Sequence, residues 1–352
     1  MKLNKLLVSV VIVLSNTMFY ANAAPINNIN NPIQNGISHN VYSEFNVGKE
    51  GVVFNNSLEA VNTQLAGKIN GNSNLDKAAS IIIAEVQSKS SKASQLNGMI
   101  EVAGNPAELI IANPAGINCN GCGSINTSRF SLVAGNVVIN RSDSGTTYFN
   151  IDKGQVTIDK DGMHSGQTDF TDIIARAVKV NGKIQAKNLS LLTGKIEVSR
   201  HRGEKDFVFK NSSSYLGKPG YALDVTALGG MYADRIILEG NEAGVGVRNS
   251  GIINANDLLS LNAKGNFTNN QSAKMNSGDL LSVSVRDTII NQGEMSATNQ
   301  NLEATSVKNM KNGIISADKN VLVASKIFSN KGVVFAGENA IHFSPSGIKF
   351  IK

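Results

Sequence analysis

Two cysteines, four histidines and a few clustered acids and bases are the side chains here that could act as nucleophiles, metal ligands or proton carriers. Cys119 and Cys122 form a C-x-x-C pair. In an exported chain such a pair points to a local disulfide, with free thiols as the alternative, because oxidising compartments join neighbouring thiols. A zinc site needs two further ligands, and no other Cys and no paired His offers them. Redox catalysis would set the pair at a helix N-terminus in a βαβ unit, which the sequence lacks. His39, His164, His201 and His342 are isolated and form no H-E-x-x-H pattern.

Asp169, Asp172 and Arg176 are the nearest approach to a polysaccharide-lyase constellation of carboxylates with a base. They are close in sequence rather than repeated at a structural period, so the lyase is the weakest reading. Gly244-Val245-Gly246 looks superficially like a dinucleotide loop, but Asn249 stands where the third glycine belongs. No catalytic residue, metal or cofactor is expected, and the chain is not expected to be an enzyme.

The elements around these residues are short strands. Val52–Phe54, Glu108–Ala112, Val137–Ile139 and Gln155–Ile158 are apolar runs bounded by Gly, Asn or Asp. Residues 76–87 could pass for a helix, but Ile81-Ile82-Ile83 favours a strand. Aromatics make up 5% of the chain, Trp is absent, and 33 glycines face only 6 prolines. A thin aliphatic core fits this composition better than a thick aromatic one. The net charge of +6 is spread without a basic stripe, which argues against a dedicated nucleic-acid partner.

The first 23 residues read as a signal peptide: Lys2 and Lys5, an apolar run from Leu6 to Leu14, and a small-x-small site at Ala21-Asn22-Ala23. The mature chain is expected to start at Ala24. Near the other end a repeat emerges, with markers at Gly251, Ser272 (in a glycine's place), Gly293, Gly313 and Gly332. A period near 20 residues with two or three short strands is one coil of a parallel β-helix. About 16 coils at about 4.8 Å each would make a rod of order 75 Å. Turn asparagines are expected to form hydrogen-bonded ladders between coils.

Three stretches carry a more specific signal. The first runs from Gly36-Ile37-Ser38-His39-Asn40 to Thr63-Gln64-Leu65-Ala66-Gly67. The second runs from Leu96-Asn97-Gly98 through Ile110-Ile111-Ala112-Asn113-Pro114-Ala115-Gly116 to Cys119-Asn120-Gly121-Cys122. The third is Ala222–Ala233 followed by Glu242–Arg248. In type and order these resemble the secretion domain of two-partner exoproteins, the family of filamentous haemagglutinins, contact-dependent inhibition exoproteins and related haemolysins. The family's Asn-Pro-Asn-Leu motif reads Asn72-Ser73-Asn74-Leu75 here, and its Asn-Pro-Asn-Gly motif reads Asn113-Pro114-Ala115-Gly116. Pro fixes φ and Gly accepts positive φ, so the second motif still makes a turn. These residues either shape turns or are read directly by a transporter.

The resemblance implies an all-β fold: a right-handed parallel β-helix with an N-terminal cap and extra-helical strands. It implies a secretion domain over 24–248 and coil repeats over 249–352. It also implies a secreted or surface-exposed product of a Gram-negative bacterium, passing through the periplasm. The partner would be an outer-membrane β-barrel transporter with periplasmic docking domains, with a host-cell or bacterial surface as a further target. Family members usually continue for many more coils. A shortened, adhesin-like exoprotein is therefore expected, whether naturally short, truncated, or part of a split locus. A pore-forming haemolysin is the alternative.

Overall fold

The computed structural model describes residues 23–33, 35–87, 92–139, 146–201, 204, 207–211 and 217–351. The signal peptide expected at 1–23 falls, but for Ala23, outside the described residues. Every regular element among those residues is a strand, and most join one sheet system through parallel pairing.

One lengthwise ladder shows the architecture. It starts at Ile37–Tyr42 and passes through Ile81–Val86, Ala107–Ala112, Thr127–Val133, Met163–Ala175, Lys183–Thr193 and Gly230–Gly240. It continues through Ile252–Ala263, Leu280–Val285, Glu294–Asn309 and Ile314–Asn330 to Asn339–Ser344. That makes twelve rungs, or roughly 53 Å of axis at about 4.8 Å per rung. The expected 16 coils are not reached, because the chain spends residues on cap strands and on a second, antiparallel sheet. Two further ladders run beside the first, one starting at Ile26–Asn28 and the other at Ser94–Leu96, and together they wind the chain as a right-handed parallel β-helix.

Alternating side chains fill the interior. Ile111, Leu132, Ile173, Leu191, Leu238 and Leu261 sit in register in successive coils and form one buried column. Each contributes about 1.5–3 kcal/mol by leaving water. Phe45 closes the N-terminal end, stacked on Phe54 at 5.8 Å and tilted against Tyr42 at 5.1 Å. Burial there pushes the Tyr42 phenol up to about 12.

A four-stranded antiparallel sheet lies outside the coils: Asn136–Val138, Thr146–Ile151, Ile196–His201 and Val208–Asn211. Phe149, Ile151, Ile196 and Val198 on its inner face pack against Ile37, Ile81, Ile83, Ile110 and Ile174. This explains the unbroken Ile81-Ile82-Ile83 run: Ile82 faces the helix interior while Ile81 and Ile83 face the covering sheet, so both faces are apolar.

The C-terminal repeat is real, with one correction of register. Ile253, Met275, Met295 and Ile315 align across coils. The residue equivalent to Gly251 and Gly293 is Ala273 rather than Ser272, since Lys274 N–H bonds Gly251 O just as Glu294 N–H bonds Ala273 O. The turn before Ala273 is two residues longer, and Ser272 takes its surplus curvature with φ +66°. The turn before Gly313 is lengthened in the same way, so the ladder asparagine there is Asn309. Asn249, Asn269, Asn291, Asn309 and Asn330 form a continuous side-chain ladder, each Nδ2 donating to the next Oδ1 at 2.9–3.0 Å.

The last described strand, Gly347–Phe350, folds back antiparallel along Asn339–Ser344 and covers its outer edge. The parallel ladders cross position 248 without interruption.

Candidate functional site: two asparagine turns and a buried ionic seam

The two tetrapeptide motifs are built alike. At the first, Leu75 N–H bonds Asn72 O at 3.1 Å, and Asn74 N–H bonds Asn72 Oδ1 at 3.0 Å. At the second, Gly116 N–H bonds Asn113 O at 3.0 Å, and Ala115 N–H bonds Asn113 Oδ1 at 2.9 Å. Each is a β-turn whose leading Asn also closes an Asx turn over the third residue. The two Nδ2 groups are equally committed. That of Asn72 donates to Ile29 O and Asn55 O, both at 2.9 Å. That of Asn113 donates to Lys92 O at 2.9 Å and Ser94 Oγ at 3.0 Å.

Asn72 and Asn113 are therefore buried and fully bonded, and Leu75 joins the core. Ser73, Asn74 and Ala115 are exposed, and Pro114 is half-buried. Gly116 sits at φ +119°, where a side chain would be strained. Ser73 occupies the second turn position without disturbing any of these bonds.

Glu101 is a nearby residue that sequence reasoning missed. It is buried, and its carboxylate accepts from Gln64 N–H and Leu65 N–H at 2.9 Å. It thereby holds the tip of the Val61–Thr63 and Gly67–Ile69 hairpin, which contains the Thr63–Gly67 stretch. No local pattern announces this bond, because its partners lie 36 and 37 residues away.

Cys119 and Cys122 are buried with their sulfurs at bonding distance and Cα atoms 5.2 Å apart. They join the ends of two strands where the coil turns a corner. The histidines are dispersed. His39 bonds Glu85 at 2.8 Å, His164 meets Asp161 O, His201 meets Thr146 and His342 meets Ser325.

Asp169, Asp172 and Arg176 do not converge. Asp169 pairs at the surface with Lys187 at 3.0 Å, Asp172 is buried against Arg129, and Arg176 forks onto Glu242 at 2.8 and 3.1 Å. The hydrogen bonds that Arg176 donates to Glu242 raise its guanidinium further against the opposing effect of burial. The Gly244–Gly246 segment is a tight turn, with Val245 N–H on Glu242 O at 3.1 Å, between two coils.

A line of charges seals the antiparallel sheet to the coils. Arg129 grips Asp172 with Nε at 2.6 Å and Nη2 at 2.9 Å, and Ser131 Oγ adds a third bond to the same carboxylate at 2.7 Å. Arg200 pairs with Glu108, and the Phe207 ring lies 5.0 Å from the Arg129 guanidinium and 5.8 Å from that of Arg200. Arg200 is buried in its strand, and of residues 201–206 only His201 and Glu204 are described. Glu85 links the other end of the sheet. Burial opposes its charge, but hydrogen bonds from His39, Val137 N–H and Gln87 outweigh burial and hold its carboxyl below the usual range.

A parallel coil stack, closed at its N-terminal end and carrying antiparallel strands on one flank, defines the class as a parallel β-helix with an added sheet. Comparison with known proteins identifies which. The TPS secretion domain model matches residues 18–269, and the chain belongs to that family. The crystal structure of a filamentous hemagglutinin secretion domain superposes with a TM-score of 0.66 at 27% identity, covering 90% of this chain and 94% of that one. "Toxin CdiA" of Yersinia pestis is 43% identical over 237 residues, which are 67% of this chain and 7% of the relative. "16S rRNA endonuclease CdiA" of Enterobacter cloacae is 42% identical over 238 residues, 67% of this chain and 7% of the relative. "tRNA nuclease CdiA" of Yersinia mollaretii is 39% identical over 260 residues, 71% and 8%. Exoproteins of this family are secreted by the two-partner route across the outer membrane to the surface of Gram-negative bacteria.

These names overturn the expectation that the chain is not an enzyme: two of these three relatives are called nucleases. The chain spans only 7–8% of their length, and the shared part is the secretion domain. A reading of side chains within that part has no access to chemistry carried elsewhere.

Proposed function

We propose that this chain is the export module of an adhesin-like two-partner exoprotein. Its cognate partner is an outer-membrane β-barrel transporter with periplasmic docking domains, and residues 24–248 form the part that the transporter engages. The observation that carries this reading is the identical construction of the turns at Asn72–Leu75 and Asn113–Gly116. In the folded molecule both leading asparagines are buried with their amides bonded, so a partner can touch only Ser73, Asn74, Pro114 and Ala115. The asparagine side chains are open to a partner before folding and committed to the fold after it. Recognition of an extended chain, followed by release into the turn, uses the same residues twice.

Coil-on-coil stacking supports folding during emergence, because each finished coil offers a full row of backbone and asparagine partners to the next. The Cys119–Cys122 bond spans only four residues, so it restrains one corner locally and leaves the chain linear for passage. A host-cell or bacterial surface is the proposed target of the exported product.

The test is secretion into the medium from cells with and without the transporter, comparing wild type, Asn113→Ala and Ala115→Asn. Transporter-dependent export that falls in Asn113→Ala and persists in Ala115→Asn supports the reading. Export that is indifferent to the transporter sinks it. Refolding of purified Asn113→Ala separates a folding defect from a recognition defect.

A further inference from the structure

A groove of about 640 Å³ runs along the C-terminal coils, on the flank that carries the antiparallel sheet but beyond it: its Glu239 is the register partner of Leu192, which packs under that sheet. Two parallel rows of side chains line it. The first row is Glu239, Asn262, Ser284 and Glu303, which are register partners in successive coils. The second row stands two residues further along each strand and reads Lys264, Arg286, Thr305 and Lys326. Small side chains, Ala263, Ala304 and Ala324 among them, leave the floor shallow and apolar, and Phe343 stands at one end. The strands from Gly230–Gly240 to Asn339–Ser344 give it six rungs, so its length is about 24 Å.

The rows differ in what they offer a ligand. Asn262 Nδ2 donates to Glu239 at 2.7 Å and Ser284 to Glu303 at 3.3 Å, so the acidic row is internally tied. Burial raises the Glu239 carboxyl, against the opposing effect of its hydrogen bond from Asn262. Arg286 and Lys326 are exposed and form no ion pair among the described residues. One side thus presents carboxylate, amide and hydroxyl acceptors at a regular spacing, and the other presents Lys264, Arg286 and Lys326 with Thr305 between the last two. A peptide would meet acceptors and donors at a period its own backbone does not share. A pyranose chain carries hydroxyls on every ring, apolar ring faces for a flat floor and, when it is a uronate, one carboxylate per ring for the cationic row.

We propose that this groove binds an extended acidic oligosaccharide. Its hydroxyls bond the Glu239–Glu303 row, its carboxylates meet Arg286 and Lys326, and its terminal ring packs on Phe343. The proposal rests on the C-terminal coils alone and goes beyond export.

The experiment is calorimetric titration of the full chain with an α-1,4-galacturonate hexamer, with a neutral glucan hexamer and inorganic polyphosphate as comparison ligands. The variants are Arg286→Glu/Lys326→Glu and Asn262→Ala, each with its thermal unfolding recorded. Saturable binding of the galacturonate that weakens at least ten-fold in both variants, at unchanged unfolding temperature, is the expected result. Equal binding of the neutral hexamer would remove the role of the cationic row. Equal binding of polyphosphate would reduce the groove to a charge patch. Either outcome overturns the proposal, as does absence of binding or indifference to the variants. Secretion of the double variant is expected to be normal, so failure here leaves the export reading untouched.

Discussion

Arg129 holds both oxygens of Asp172, at 2.6 and 2.9 Å, with the two side chains almost completely buried beneath the antiparallel sheet. Two parallel strands carry them in adjacent coils, Ser131 opposite Asp172 and Arg129 opposite Phe170. The pair is thus part of the coil register as well as of the seam.

Arg129→Met is expected to cost about 3–5 kcal/mol, because it strands a buried carboxylate. Arg129→Met/Asp172→Leu is expected to recover most of that loss. Urea unfolding of the single and double variants reads the difference, and a double variant no more stable than the single would rule out the stranded charge as the cause.

The asparagine ladder makes a second prediction. Asn269 is fully buried, receives Asn249, and donates to Asn291 Oδ1 and Glu294 O at 2.9 and 3.1 Å. Asn269→Ala leaves the Asn249 donor and the Asn291 acceptor short of a partner, at a cost of about 2–4 kcal/mol. The same change at exposed Asn330, the end of the row, is expected to cost under about 1 kcal/mol. Equal losses at both positions in equilibrium unfolding would mean that the ladder is not a buried network.

Glu85 predicts an acid dependence. Its folded carboxyl is held below the usual value of 4.5, so its contribution is complete above that value and is lost as pH falls through the lower folded one. Thermal unfolding of wild type and Glu85→Gln should differ most at neutral pH and converge in acid. A gap that widens on acidification would reverse the sign and refute the assignment.

Cys119→Ser/Cys122→Ser is expected to lower stability by about 2 kcal/mol, the value for a loop this short, without loss of the coil fold. Mass spectrometry after alkylation without reductant reads the thiol state directly. Two alkylated thiols in protein recovered from the medium would show that the pair stays reduced.

Much of this molecule could be read from spacing. Gly251, Gly293, Gly313 and Gly332 mark positions where an added Cβ would strike a carbonyl of a neighbouring turn or the side chain of a ladder asparagine, so composition reports the stacking directly. Ser272 stands one residue from the register partner Ala273, because longer turns before Ala273 and Gly313 preserve the ladder while shifting the glycine-to-asparagine offset. The seam is not legible in spacing. Arg129 and Asp172 are 43 residues apart and Arg200 and Glu108 are 92 apart, and a polar residue on a strand looks solvent-facing until the covering sheet is in place. The two Asn turns were legible as turns, but the burial of their leading residues depends on Ile29, Asn55, Lys92 and Ser94 arriving from other coils.

The asparagine row also has a direction. From Asn249 to Asn330 every amide gives its hydrogen forward and receives from behind, so one end of the row shows an N–H and the other an oxygen. The row behaves as a file of aligned dipoles, each polarising the next. The two ends of the row therefore differ: Asn249 lies inside the stack beside Val225 of the preceding coil, and Asn330 lies at the C-terminal end of the row. The molecule is polar along its axis, and any longer fibre continuing this pattern would inherit that polarity.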